Sequence, residues 1–157
     1  MGNWEHWAGA DPEYWGGLLS EYGIQLLMNE AVDLGPIGLA GTDDYLAGPV
    51  SPEQMAATVA ALPAGKPGVV LSHSPDAFDQ LVGPAVDLVL SGHAHGGQIR
   101  VPKAGSFFVP RGTGDYVAGW FRDGHSHLFV CRGIGWSLAP VRWRCPCLLY
   151  TSDAADE

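Results

Sequence analysis

A strand, helix and strand between residues 69 and 90 most constrain the fold of this chain. Residues 69–71 and 86–90 are short apolar runs of strand length, and residues 75–82 between them predict a short helix. This order predicts two parallel strands joined by a helical crossover, with both faces of the sheet covered. We therefore expect a fold of the α/β class.

Two longer helices are predicted from their start signals. Asp11 followed by Pro12 predicts a helix that ends at Gly23 and packs an aromatic and aliphatic stripe against the protein. Residues 51–54 form a capping box with proline at the first helical position. The helix that follows is expected to bury Met55, Val59 and Leu62.

Apolar runs elsewhere predict further strands. Residues 24–28, 107–109, 116–121 and 127–131 have strand length and composition, and Asp123-Gly124 predicts a hairpin turn between the last two. A chain of 157 residues with 46% hydrophobic residues is the size of one domain with a single core.

The charge balance limits the partners of the chain. The formal net charge is -9, which argues against nucleic acid or an anionic membrane surface as the main partner. No apolar run reaches the roughly 18 residues that a membrane span needs, and no signal peptide is visible. A small anionic substrate would need local positive charge, such as a metal ion.

Histidines follow both strands of the central pair. His73 follows the first strand, and His93 and His95 follow the second within a glycine-rich segment. Sites in α/β sheets collect at strand carboxyl ends, and neutral imidazole is a common transition-metal ligand. The alternative is that His93 and His95 are turn histidines on an exposed loop. The Asp43-Asp44 pair also follows an apolar run, but turn formation is the preferred role for it.

These histidine segments resemble the calcineurin-like metallophosphoesterases, particularly their bacterial phosphodiesterase branch. The resemblance rests on residues 71–76 (Leu-Ser-His-Ser-Pro-Asp) and 86–99, which contain Gly-His-Ala-His-Gly-Gly. Residues 2–5 (Gly-Asn-Trp-Glu) are similar to the family's Gly-Asn-His-Asp/Glu motif. The resemblance extends over residues 2–142 and implies a four-layer α/β/β/α sandwich, of which this chain carries the C-terminal part only.

The resemblance also implies the chemistry. The family hydrolyses phosphoester or phosphodiester bonds of small phosphorylated substrates through a hydroxide that bridges two divalent metal ions, which are Mn, Fe or Zn. Carried over to this sequence, Asn3, His73 and His93 bind one ion and His95 binds the other. Trp4 stands where the family has a histidine thought to act as general acid, and tryptophan cannot transfer a proton. His6 is therefore the candidate catalytic residue, with an exposed loop residue as the alternative.

The family's Asp-x-His and Gly-Asp-x-x-Asp motifs, which precede the asparagine, have no counterpart here. We therefore expect residues 1–146 to form a partial metallophosphoesterase domain that is inactive as it stands. The alternative is a non-catalytic metal-binding or decayed protein. Residues 147–157 resemble the translation of a transposase-type sequencing adapter and are expected to be non-native. The sequence leaves open the oligomeric state and the compartment, which is either the bacterial cytoplasm or a membrane surface.

Overall fold

The computed structural model describes residues 1–48, 50–106 and 108–147. Its main feature is a six-stranded mixed sheet with the strand order β1-β2-β3-β4-β8-β7. The strands are β1 (Glu30–Asp33), β2 (Gly38–Gly41), β3 (Gly68–Ser72), β4 (Leu88–Ser91), β5 (Arg100–Val101), β6 (Gly105–Ser106), β7 (Gly119–Asp123) and β8 (Ser126–Val130). The α-helices are α1 (Asn3–Trp7), α2 (Pro12–Glu21), α3 (Pro52–Ala60) and α4 (Phe78–Leu81), and two 3₁₀ turns cover Pro75–Ala77 and His95–Gly97.

The four central strands of this sheet are parallel. β2, β3, β4 and β8 run in one direction, while β1 and β7 pair antiparallel at the two edges. Helix α3 connects β2 to β3, and α4 connects β3 to β4. The α/β class and the predicted strand, helix and strand unit are therefore confirmed.

The hydrophobic core lies on one face of the sheet. Ala40, Val70, Val89 and Leu128 occupy one row across four neighbouring strands, and all are fully buried. They pack with buried side chains of α3 and α4, which are Met55, Phe78 and Leu81. The capping box at Ser51 and Gln54 forms as predicted and begins α3. The predicted stripe of that helix is confirmed, because Met55 and Leu62 are buried and Val59 packs against them.

The opposite face of the sheet is open, so the prediction that both faces are covered is wrong for the described residues. A second row formed by Leu71, Leu90, Phe129 and Trp120 lies on this face, and Trp120 is 66% exposed. The reason lies in the strand order. β3 lies beside β2, and β4 lies beside β3 on the side away from β2. Because both crossovers are right-handed and advance in the same direction across the sheet, both connecting helices lie on the same face.

Two sequence predictions for the first third of the chain differ from the structure. Helix α2 begins at Pro12 as predicted, with Asp11 accepting a hydrogen bond from the Glu13 N–H, but none of its residues is buried. Residues 24–28 do not form a strand, because Glu30–Asp33 occupies the edge beside β2. Both segments are apolar, but apolar residues alone do not specify which part of the protein packs against them. Both predictions were therefore wrong.

The predicted hairpin is confirmed. β7 and β8 pair antiparallel, with Asp123 opposite Ser126 and Gly124 at a φ of 57° in the turn. β7 begins at Gly119 and not at residue 116, because the Tyr116 ring packs against Phe78 and Phe121.

The last predictions concern the C-terminal third. In the predicted strand 107–109, Phe107 lies outside the described residues, and Phe108 and Val109 are not in a strand. The expected adapter-derived segment also lies outside the described residues, apart from Cys147, and stays a prediction. Among the residues that the structure covers, no helix has both the length and the apolarity to cross a membrane.

Candidate metal centre

The carboxyl ends of β3 and β4 bring two histidines together. Ser72 and Ser91 are opposite each other at the ends of these strands, and His73 follows one while His93 follows the other after a glycine. His73 Nε2 lies 3.1 Å from His93 Nδ1, and the ring centroids are 4.8 Å apart. Parallel pairing thus places side chains 20 residues apart at one edge of the sheet.

Asn3 joins this pair from the first helix. It is 3% exposed, and its Oδ1 lies 2.8 Å from His73 Nε2. The Gly2 N–H donates to Glu5 Oε2 at 3.0 Å, which fixes the start of α1. A Cβ on Gly2 would lie 2.8 Å from His73 Nδ1, so only glycine permits this approach of helix and histidine.

Burial lowers the pKa of two histidines at this edge, His73 and His95. Desolvation, followed by the neighbouring His93, lowers the pKa of His73 to about 4. Desolvation also lowers the pKa of His95, and Arg142 and His93 add to that effect. Neutral imidazoles have a free nitrogen lone pair, which is the form that binds a metal ion.

The loop that carries His93 and His95 has an unusual backbone. His93, His95, Gly96, Gly97 and Gln98 all have φ between 50° and 72°, in the left-handed region. Non-glycine residues seldom adopt it, and such strain clusters at functional sites. His93 Nε2 lies 2.6 Å from the Arg111 carbonyl, which fixes the other side of the ring.

A clamp of side-chain to backbone hydrogen bonds supports this loop from the C-terminal segment. Gln98 Nε2 donates to the carbonyls of Ala139 and Val141 at 2.9 and 3.0 Å, and its Oε1 accepts from the Ser137 N–H at 2.7 Å. The Arg142 guanidinium donates to three carbonyls, those of Arg132, Gly135 and Cys145. Sequence reasoning missed both roles. The Gln98 contacts span about 40 residues, and the Arg142 contacts are made to backbone carbonyls, which leave no pattern of residue types in the sequence.

His6, the predicted catalytic residue, faces a buried aspartate. Its Nε2 lies 2.6 Å from Asp43 Oδ1, and Asp43 is 1% exposed. His6 is not among the residues that line the cleft beside His93 and His95. Its catalytic role stays a prediction.

The turn-forming role expected for the Asp43-Asp44 pair is confirmed for Asp44. Asp44 Oδ2 accepts hydrogen bonds from the N–H groups of Leu46 and Ala47 at 3.2 and 2.8 Å. Its Oδ1 accepts from the Ser74 hydroxyl at 2.7 Å. Both aspartates are fully buried at the same sheet edge, which the sequence did not predict.

His95 lies with Asn3 and His93 on the wall of an open cleft of about 440 Å³. The cleft is lined by Asn3, Trp4, Trp7, Leu46, His93, His95, Phe108, Pro110, Arg111, Ser137 and Leu138. Within the described part of the chain, no three His, Cys, Asp or Glu side chains are grouped so as to hold one ion. The converging set is therefore two imidazoles and one amide, Asn3, His73 and His93.

The chemistry of this set fits one divalent transition-metal ion. Imidazole nitrogens suit Mn, Fe and Zn, and the amide oxygen of Asn3 adds a hard donor. Asn3 is buried with that oxygen directed at His73. His95, the residue that the sequence predicts for a second ion, lines the same cleft.

The sequence is similar to bacterial phosphoesterases along most of its length. It is 37% identical to the phosphodiesterase YaeI of Escherichia coli over 134 residues, which cover 83% of this chain and 47% of that protein. It is 39% identical to the metallophosphoesterase YkuE of Bacillus subtilis over 75 residues, which cover 48% of this chain and 26% of that protein. It is 35% identical to the UDP-2,3-diacylglucosamine pyrophosphatase LpxG of Chlamydia muridarum over 80 residues, which cover 50% of this chain and 23% of that protein.

The chain belongs to the calcineurin-like metallophosphoesterase family. It spans less than half the length of the curated relatives it matches. No family model and no solved structure matches it.

Proposed function

We propose that the protein is a metal-dependent hydrolase of phosphoric esters, phosphodiesters among them, that acts on a small phosphorylated substrate. The observation that carries this proposal is the convergence of Asn3 Oδ1, His73 Nε2 and His93 Nδ1 within 2.8 and 3.1 Å. These donors come from three separate parts of the chain. The names of the relatives from Escherichia coli and Chlamydia muridarum, a phosphodiesterase and a pyrophosphatase, support the same class of reaction.

In this proposal Asn3, His73 and His93 hold one divalent ion in this chain, and His95 contributes to a second ion only in the complete protein. A bound divalent ion supplies positive charge that stabilises negative charge on the phosphoryl oxygens. The low pKa of His73 keeps that ring available as a neutral donor down to acidic pH.

The arginine beside the cleft is suited to orient the substrate. Arg111 lines the cleft with an exposed side chain, and a guanidinium binds two phosphate oxygens at once. Residues 100–144 carry seven of the eight Lys and Arg residues of the chain but only two of its acidic residues, Asp115 and Asp123. Among the residues that line the cleft, Arg111 is the one that gives an anionic substrate a positive charge despite the net charge of -9.

His6 remains the proposed proton-transferring residue in place of the histidine displaced by Trp4. Asp43 orients its ring through the 2.6 Å contact to Nε2, which leaves Nδ1 available to hold a proton. Hydrogen bonds of catalytic groups often rearrange when substrate binds, so the contact with Asp43 is compatible with this role.

We further propose that the open face of the sheet is covered in the complete protein, giving the four-layer sandwich. The apolar row formed by Leu71, Leu90, Phe129 and Trp120 supports this, because an exposed apolar strip of this kind is costly in water. The chain aligns with less than half of the length of these relatives, which thus have further residues that could form a second sheet. In this proposal residues 1–146 form the C-terminal part of that domain.

Titration with Mn²⁺ tests the proposed metal ligands. We expect one tightly held ion per chain in the parent protein, and none in His73→Ala or His93→Ala. His127→Ala is the matched control, because His127 is an exposed histidine on β8 outside the cleft. Two tightly held ions per chain, or an ion that survives His93→Ala, would contradict this ligand set.

Turnover separates the two functional hypotheses. In the complete protein loaded with Mn²⁺, hydrolysis of bis-p-nitrophenyl phosphate should fall in His93→Ala by more than the roughly 10²- to 10⁴-fold expected for a lost general acid. His6→Ala should fall within that range and retain the ion. A complete protein that binds metal without turnover would favour the non-catalytic metal-binding alternative, which is consistent with the finding that no three His, Cys, Asp or Glu side chains of the described residues are grouped to hold one ion.

A further inference from the structure

We infer that the cleft selects phosphate esters whose leaving group is apolar, an alkyl or aryl group that lies against Trp4 and Trp7. This inference rests on the proposed function, because it assumes that the phosphoryl group binds at Asn3, His73 and His93. It adds a substrate class that the metal ligands alone do not define.

One wall of the cleft changes from polar and buried to apolar and exposed along a single helix. Asn3 is 3% exposed, Trp4 53% and Trp7 64%. The spacing of three residues places both indoles on one side of α1, with their rings in an edge-to-face contact at 5.5 Å. At about 1.5 Å per residue, Trp7 lies roughly 6 Å further along the helix axis than Asn3.

Other walls of the same cleft are also apolar. Leu46, Phe108, Pro110 and Leu138 line it together with the two tryptophans, and Leu138 is 71% exposed. The cleft volume of about 440 Å³ lies within the usual range of about 300 to 1,000 Å³ for small-molecule sites. A ligand held by these side chains would remove several large apolar surfaces from water at once.

The adjacency of Asn3 and Trp4 argues that one molecule carries both the phosphate and the apolar group. Asn3, Trp4 and Trp7 all line the same cleft, so one ligand can contact all three side chains. Arg111 lines the same cleft and favours an anionic head group. The net charge of -9 disfavours an anionic lipid surface as the occupant, so a single amphipathic ester fits better.

Calorimetric titration of the Mn²⁺-loaded chain with methyl, butyl and hexyl phosphate tests this inference. We expect affinity to rise about two- to fourfold per added methylene, which corresponds to half to full burial of each group. Hexyl phosphate should therefore bind at least about 30-fold more tightly than methyl phosphate. Trp7→Ala should lower the ratio of hexyl to methyl affinity by about fivefold or more. Trp120→Ala is the matched control, because Trp120 is as exposed as Trp7 but lies on the open sheet face.

The outcomes separate this inference from the proposed function. Equal affinity for methyl and hexyl phosphate would overturn the inference and leave the phosphate site intact. Binding of hexanol as tightly as hexyl phosphate would also overturn it, since the apolar wall would then act without the phosphate site. Trp7-dependent binding to phosphatidylglycerol vesicles, without a chain-length preference, would replace it by a lipid surface. If none of the phosphates binds, the proposed function itself fails.

Discussion

Replacing Gly96 by alanine tests the packing beneath the loop that carries His93 and His95. Gly96 has a φ of 60°, where a Cβ costs roughly 1–2 kcal/mol. That Cβ would also lie 2.5 Å from Cys145 Sγ and 2.9 Å from Arg132 Cγ, and such overpacking costs about 1–3 kcal/mol. Together these terms predict a loss of roughly 2–5 kcal/mol in the free energy of unfolding.

Two other glycines provide matched controls for this substitution. Gly65 has a φ of 76° but no atom within 4 Å of its would-be Cβ, so Gly65→Ala should lose only the roughly 1–2 kcal/mol of the conformational term. Gly83 has neither a left-handed φ nor a close neighbour. Gly83→Ala should therefore stay within about 0.5 kcal/mol of the parent protein.

Urea denaturation of the three variants, followed by circular dichroism at 25 °C, measures these differences. Gly96→Ala should be less stable than Gly65→Ala, and the additional Cys145→Ala substitution should restore about 1 kcal/mol or more beyond additivity. Equal losses for Gly96→Ala and Gly65→Ala would refute the close packing of the loop on Cys145. A double variant whose stability is the plain sum of the two single changes would refute it as well.

Three further predictions concern stability. First, His73 has a pKa of about 4 in the fold and near 6.5 when unfolded, so below pH 6.5 the unfolded chain binds a proton that the fold excludes. In urea denaturation of the metal-free chain, His73 should not affect stability above about pH 7 and should lower it by up to about 1.4 kcal/mol per pH unit between pH 6.5 and 4. His73→Asn should remove this contribution and leave the smaller one of His95, whose pKa is also lowered by burial. Second, Ser51→Ala removes the cap of α3 and should cost about 1 kcal/mol by the same assay, whereas Ser51→Asp should cost much less. Third, the Tyr116 hydroxyl donates a hydrogen bond to Asp79 Oδ1 at 2.5 Å, which raises the pKa of Tyr116 to about 12. In an ultraviolet titration, one of the five tyrosines should therefore resist ionisation at pH 11, and Tyr116→Phe should remove that resistant group.

The secondary structure that the sequence predicted best depends on local signals. The caps at Asp11 and Ser51, the hairpin at Gly124 and the two apolar strands around α4 involve residues close in sequence. A proline, a capping side chain or a glycine acts on its own backbone within a few residues, so these signals can be recognised in the amino-acid order. Residues 24–28 and the supposed stripe of α2 failed because their apolar side chains do not specify a partner.

The sequence by itself determined which side chains follow the strands, and through its motifs it pointed to the family. His73, His93 and His95 stand directly after apolar runs, and their spacing is visible without coordinates. Only the tertiary structure decided that Asn3 and His73, 70 residues apart, meet at 2.8 Å and that His95 shares a cleft with Trp4 and Trp7. It also decided that His6 faces Asp43 and that both crossover helices cover one face of the sheet. The physical reason is that strand order and helix docking set these distances, and both depend on burial of the whole core, which no short segment of sequence encodes.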